Sequence, residues 1–170
     1  QRYALMEYGS MFGDGAARGP DFTAEALHHV AVEMNDYYGK QVANGNVDEL
    51  SQIEKDGISV RVKRELKANR YDRERNTVVL TEGQTYAAGR LVEYYSSKFK
   101  GDHKEAFKPA GYITDDAELK DLSAFFFWGA WVCAVERPGG ESSYTHNWPF
   151  DEYAGNTPTP SVILWSVIGM

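Results

Sequence analysis

Residues 125–135 read FFFWGAWVCAV, ten apolar residues around a single glycine. The block falls well short of the roughly 20 residues that a membrane span needs. It therefore reads as a buried helix that the rest of the chain must cover. Thr114, Asp115 and Asp116 precede it. They supply a start, since acids in a first turn complement the helix dipole. Pro138-Gly139-Gly140 supplies the stop.

The covering elements are legible as further helices. Residues 1–20 are punctuated by Gly9, Gly13, Gly15, Gly19 and Pro20 and read as loop. Thr23 is a good N-cap for a helix to about Tyr38 or Gly39, with Ala26, Leu27, Val30, Met34 and Tyr37 at helical spacing. Asn46 caps a shorter helix through Leu50 and Ile53 that ends at Gly57. Residues 59–69 read as a helix with a basic outer face, followed by a polar turn. Thr77 to Leu80 favour a short strand. Thr81 with Gln84 has capping-box spacing, and opens a helix carrying Tyr86, Ala87, Leu91, Tyr94 and Tyr95 that ends before Gly101. Residues from Pro138 to Pro160 read as irregular. The expected fold is mainly α with minor β, four or five helices in one domain.

Composition removes several functions. The formal net charge of −7 argues against a nucleic-acid partner. Cys133 is the single cysteine. It excludes an intrachain disulfide, a CxxCH heme attachment and a cysteine-built zinc or iron–sulfur site. In its apolar setting it reads as an inert buried thiol. The last ten residues, SVILWSVIGM, are nearly all apolar. They are either a terminal element docked on the core or the first turns of a membrane helix continuing past Met170.

The histidines divide by context. His28 and His29 are neighbours on a helix, about 100° apart, and cannot clamp one metal together. One is expected to pack and the other to be solvated. His103 sits in a charged loop and reads as a surface residue. His146 lies among Asn147, Trp148, Asp151 and Glu152, just ahead of the apolar tail. The basic stretch 61–75 reads as a solvated face that pairs within its helix, with lipid-headgroup contact as the alternative.

Four blocks carry a family likeness: GSMFGDGAARGPDFTAEALH (9–28), KRELKANRYD (63–72), AFFFWGAWVCAVERPG (124–139) and SYTHNWPFDEYAGNTPTPSVILWS (143–166). They resemble the segment after the first membrane helix of quinol-dependent nitric oxide reductases. They keep the family's order over essentially the whole chain. The resemblance implies a cytochrome-c-like helical domain without heme, on the periplasmic side of a bacterial inner membrane. Residues 1–160 would form that domain and 161–170 would begin the second membrane helix. The implied parent reaction is two NO, two electrons and two protons to N2O and water. Heme b, heme b3 and a non-heme iron would lie in the membrane part of the same chain, so no catalytic residue is expected here. The alternative class is a free-standing soluble binding module.

In the related cytochrome c subunits, a CxxCH motif shortly precedes a GxGAY-type segment. Alignment of that segment on Gly13-Asp14-Gly15-Ala16-Ala17 puts the heme motif at Leu5-Met6-Glu7-Tyr8-Gly9, which has neither cysteines nor histidine. Covalent heme has nothing to hold it there, and side chains are expected to fill its volume. The same likeness makes the Gly15 carbonyl a candidate calcium ligand in the intact enzyme, while Ala17 stands where a tyrosine ligand is common. A quinol site needs a hydrogen-bonding histidine or carboxylate near the bilayer surface. The candidate rim is His146, Trp148, Asp151 and Glu152, with membrane quinol and the chain's own membrane part as partners.

Overall fold

The computed structural model describes residues 3–15, 19–101 and 111–168. Among these the chain forms five α-helices and two minimal hairpins, mainly α with minor β. His103, Ala16 and Ala17 lie outside the described residues.

The N-terminal segment makes a 3-10 turn, Leu5–Glu7, and a hairpin of β1 (Ser10–Met11) with β2 (Asp14–Gly15). It leads into α1, Phe22–Val42. The cap of α1 is Asp21 rather than Thr23. The Asp21 carboxylate accepts from the backbone of Thr23 at 3.0 Å and of Ala24 at 2.9 Å. Aspartate with extended backbone caps as well as threonine does. Thr23 falls inside the first turn, fully buried, where its hydroxyl accepts from Phe12 N–H.

The expected helices at 46–57 and 59–69 are one helix. Asn46 heads only a single 3-10 turn, Val47–Glu49. The real start is Ser51, which forms a reciprocal capping box with Glu54 and opens α2, Gln52–Lys67. Gly57 lies inside α2. A mid-helix glycine costs about 1 kcal/mol, and burial of Ile58, Val62 and Leu66 on one face outweighs it. Ile53, in the first turn, is exposed.

Tyr71–Asp72 (β3) pairs with Thr77–Val78 (β4), so the expected 77–80 strand is two residues long. The Thr81/Gln84 capping box forms in both directions and starts α3, Glu82–Lys100, which Gly101 closes in a left-handed conformation. Asp115 caps α4, Asp116–Ala134. This helix stops four residues before Pro138, because Val135 turns extended and Glu136 N–H donates to the Lys67 carbonyl.

Helices α1, α3 and α4 pack on one another, and α2 lies against α1. Phe22 stacks on Phe126 with centroids 4.8 Å apart, and Tyr95 tilts onto the same ring at 4.7 Å. Gly129 permits the close α1–α4 crossing: a Cβ there would sit 2.8 Å from Thr23 Cγ2 and 3.3 Å from Met11 Cε. A network around the buried Glu65 carboxylate ties α1, α2 and the start of α3 together. Glu65 accepts from Tyr38, Thr81 and Arg61, and the Arg61 guanidinium lies 3.7 Å from the Tyr38 ring centre.

The last element is α5, Pro160–Ile168, with no buried residue. No helix among the described residues is long and apolar enough to cross a membrane.

Candidate site at the junction loop

Residues 143–159 connect the core to α5 and carry the four predicted rim residues. The loop is irregular but tightly bonded. Asn147 Oδ1 accepts from Ser143 N–H at 3.0 Å, and Asn147 N–H donates to Ser143 Oγ at 2.7 Å. Thr145 Oγ1 donates to the Trp148 carbonyl at 2.5 Å. These bonds hold His146 and Asn147 in consecutive left-handed conformations, φ 53° and 61°. Left-handed backbone is uncommon outside glycine and persists only where its surroundings enforce it. Thr159 N–H then donates to the His146 carbonyl, fixing the start of α5 beside the histidine. An open groove of about 540 Å³ lies between them, lined by His146, Ser161, Val162, Trp165 and Ser166.

The rim separates into distinct environments. His146 faces the groove. Trp148 packs partly buried against the core, with its indole 3.4 Å from the position of a Cβ on Gly13, and its peptide bond to Pro149 is cis. Asp151 is buried and committed to protein donors. Its Oδ1 accepts from Ala154 N–H at 2.7 Å, and its Oδ2 lies 2.8 Å from His28 Nδ1. Glu152 is exposed. The structure brings His146 and Trp165 together and places Asp151 in a separate contact with α1.

Sequence reading misses the residues that pin this loop. His28 holds Asp151 from 123 positions away. Lys67 at the end of α2 donates to Asn156, and Asn156 Nδ2 donates to the Cys133 carbonyl at 2.9 Å. Burial pushes the Lys67 ammonium below its ordinary value. Long-range polar pairs leave no periodic signal in a sequence.

The adjacent histidines do split. His28 is half exposed, at 51% of its side chain, and reaches the loop. His29 lies on Tyr94, with centroids 3.9 Å apart. Burial holds its imidazole below the usual value. Cys133 is buried, and burial pushes its thiol up to about 11. A thiol so placed is not a nucleophile at neutral pH.

The Gly15 loop is organised by protein donors. Asp21 takes Ser10 Oγ at 2.7 Å and Gly13 N–H at 2.8 Å, besides its capping bonds. Burial works to raise this carboxyl, but donation from Thr23, Ser10, Ala24 and Gly13 outweighs it and holds the group below the ordinary value. The carboxylate that organises this turn thus makes its bonds to protein donors. Among the described residues no three His, Cys, Asp or Glu side chains converge as metal ligands. Nor do Leu5–Gly9 fit a covalent heme: they form a 3-10 turn and its exit, with Met6 as their one sulfur. Side chains do not wholly fill the space beside this turn, where a groove remains against α4.

The family model for the NorB cytochrome c-like domain, a domain of nitric oxide reductase, matches residues 1–150. The chain belongs to that family. A search of curated proteins finds no match. The domain is accordingly part of a nitric oxide reductase, an oxidoreductase of a membrane-associated family. The match covers the helical core and the first part of the junction loop, including His146 and Trp148. Asp151, Glu152 and α5 lie beyond it.

Proposed function

We propose that this domain is the heme-free, periplasm-facing scaffold of a single-chain, quinol-oxidising nitric oxide reductase of the bacterial inner membrane. The carrying observation is family membership combined with a single, buried cysteine. The family is cytochrome c-like by description, yet c-type attachment needs two thioether cysteines and an axial histidine. A domain without them relays no electrons of its own, so the membrane part would take electrons directly from quinol. Heme b, heme b3, the non-heme iron and calcium would belong to that intact enzyme. The Gly15 carbonyl would be one calcium ligand in that enzyme. The fragment alone would be colourless and inactive toward NO.

In this reading residues 1–160 are the extramembrane domain and 161–170 open the second membrane helix. Exposed Ile163, Leu164, Trp165, Val167 and Ile168 suit such a helix, and indoles favour the boundary between headgroups and hydrocarbon. The loop would then lie at the bilayer surface. His146, which lines the groove beside Trp165, would accept a hydrogen bond from a quinol hydroxyl and take its proton. Of the other predicted rim residues, Glu152 is exposed on the same loop, while Trp148 and Asp151 pack into the protein and would act by holding the loop in place. The test uses full-length reductase carrying His146→Ala, Asp151→Asn or Glu152→Gln. His146→Ala should raise the quinol KM or lower its kcat while an artificial donor that bypasses the site still drives turnover. Unchanged quinol kinetics in all three variants would leave the loop a structural junction. A heme absorption band in the purified domain would overturn the heme-free assignment.

A further inference from the structure

Among the described residues, contacts from three helices grip the turn at 151–156. From α1, His28 Nδ1 lies 2.8 Å from Asp151 Oδ2, and the Tyr153 ring meets the imidazole edge-on at 5.5 Å. From α2, Lys67 donates to Asn156, and from α4 the Cys133 carbonyl accepts from the same side chain. Within the turn, Asp151 Oδ1 takes the Ala154 N–H, and the backbones of Asp151 and Asn156 bond in both directions at 3.0 and 2.8 Å. The turn therefore moves as one closed unit. His146 is joined to it twice. One link runs along the chain through Asn147 and Trp148. The other runs back across the loop, where Thr159 N–H donates to the His146 carbonyl at 3.0 Å.

The grip from α1 differs from the other two in exposure. Cys133 and Asn156 are fully buried, whereas half of the His28 side chain is in solvent. An imidazole so exposed fills no core, and its neighbour His29 packs on Tyr94 instead. What His28 does is serve a buried carboxylate. A carboxylate only accepts, so the imidazole donates from Nδ1, and such charge-assisted bonds are the strong ones. The loop needs firm anchors, because His146 and Asn147 both hold left-handed backbone. Residues other than glycine keep that conformation only where the surrounding bonds over-determine it. We propose that His28 is a positioning residue for the junction loop: its bond to Asp151 fixes the 151–156 turn, and the turn fixes His146 in the groove beside Trp165. On the quinol reading of that groove, on which this proposal rests, His28 sets where the proton acceptor stands without itself touching quinol.

Amide exchange on this chain tests the linkage without quinol. His28→Ala should speed exchange at His146, Asn147 and Thr159 by about tenfold, the loss of one hydrogen bond to a charged group, while amides inside α1, α3 and α4 keep their rates. His28→Asn, whose amide nitrogen takes the place of Nδ1, should restore most of the protection. In the full-length reductase, His28→Ala should lower quinol kcat/KM about tenfold, the effect of misplacing a group from a distance, and His28→Asn should recover it. Turnover from an artificial donor that bypasses the loop should not fall with it. Adding His28→Ala to Asp151→Ala should cost no more than Asp151→Ala alone, because both remove the same contact. Unchanged exchange at His146 and Thr159 in His28→Ala would overturn the proposal. So would acceleration spread evenly over the chain, which would make His28 a contributor to global stability. A fall in quinol kcat/KM in His146→Ala but not in His28→Ala would also overturn it, leaving the contact an anchor that positions nothing. Unchanged quinol kinetics in His146→Ala would sink the quinol reading and this proposal with it, a failure that the His146→Ala arm sets apart from the others.

Discussion

Helices α4 and α5 are built from similar residues and meet opposite fates. The sequence FFFWGAWVCA ends α4, and SVILWSVI fills most of α5. In α4, Phe126, Ala130, Cys133 and Ala134 are buried against α1 and α3, and Gly129 lets the helices approach. In α5 no residue is buried, and Trp165 is 69% exposed. Apolar composition therefore does not say whether a helix belongs to a core. The presence of complementary faces does, and α4 has them while α5 has none among the described residues. Even α4 is not covered all round, since Phe125 and Trp128 remain in solvent.

The sharpest way to break this comparison is to truncate an aromatic in each helix. Phe126→Ala should lower unfolding stability by about 3–5 kcal/mol in a urea titration, because the ring is fully buried between Phe22 and Tyr95. A loss below about 1 kcal/mol would mean that the α1–α3–α4 interface is looser than the stacked rings imply.

Next in size is the polar tie that holds α2 to this core. Glu65→Ala would leave Tyr38, Thr81 and Arg61 without their common acceptor. A cost of about 1–3 kcal/mol is expected for such orphaned groups. Acid should reveal the same residue. Burial works to raise the Glu65 carboxyl, but donation from Thr81, Tyr38 and Arg61 outweighs it, so its folded pKa lies below the ordinary value. Its stabilisation is therefore fully present above the unfolded value of about 4.3. It is lost as pH falls through the lower folded value. Melting temperatures measured from pH 6 to pH 2 should fall less steeply for Glu65→Gln than for the wild type. Equal slopes would remove Glu65 from the acid response.

Asp21→Ala should cost about 0.5–2 kcal/mol, the range for a lost N-cap. It should also loosen the β1–β2 hairpin, because the same carboxylate holds Ser10 and Gly13. Thermal melts and amide exchange at Gly13 check both effects. Smallest of all, Trp165→Ser in α5 should change stability by no more than about 0.5 kcal/mol. A loss of 2 kcal/mol there would show that α5 docks on the core in solution and would erase the contrast with α4.

Much of this contrast is visible in the sequence. The apolar block at 125–135, the Thr81/Gln84 capping box and the Gly101 stop each fall where the structure has them, because caps and periodicity act within one or two turns. The quoted blocks point to the nitric oxide reductase family, and the family match agrees over residues 1–150. The sequence misleads where two local signals compete. Gly57 reads as a stop, but Ile58, Val62 and Leu66 find a partner surface on α1 and carry the helix through it. Thr23 reads as the cap beside an equally able Asp21. The candidate rim shows the same boundary. Sequence puts His146, Trp148, Asp151 and Glu152 in one polar loop, which is true of their order along the chain. Only the tertiary structure decides that His146 turns toward Trp165 while Asp151 turns to His28, and that Phe125 and Trp128 stay uncovered. Local rules fix caps and turns through bonds a few residues long. Which face of a helix is covered depends on residues far away along the chain, and no pattern within the helix encodes where those residues come to rest.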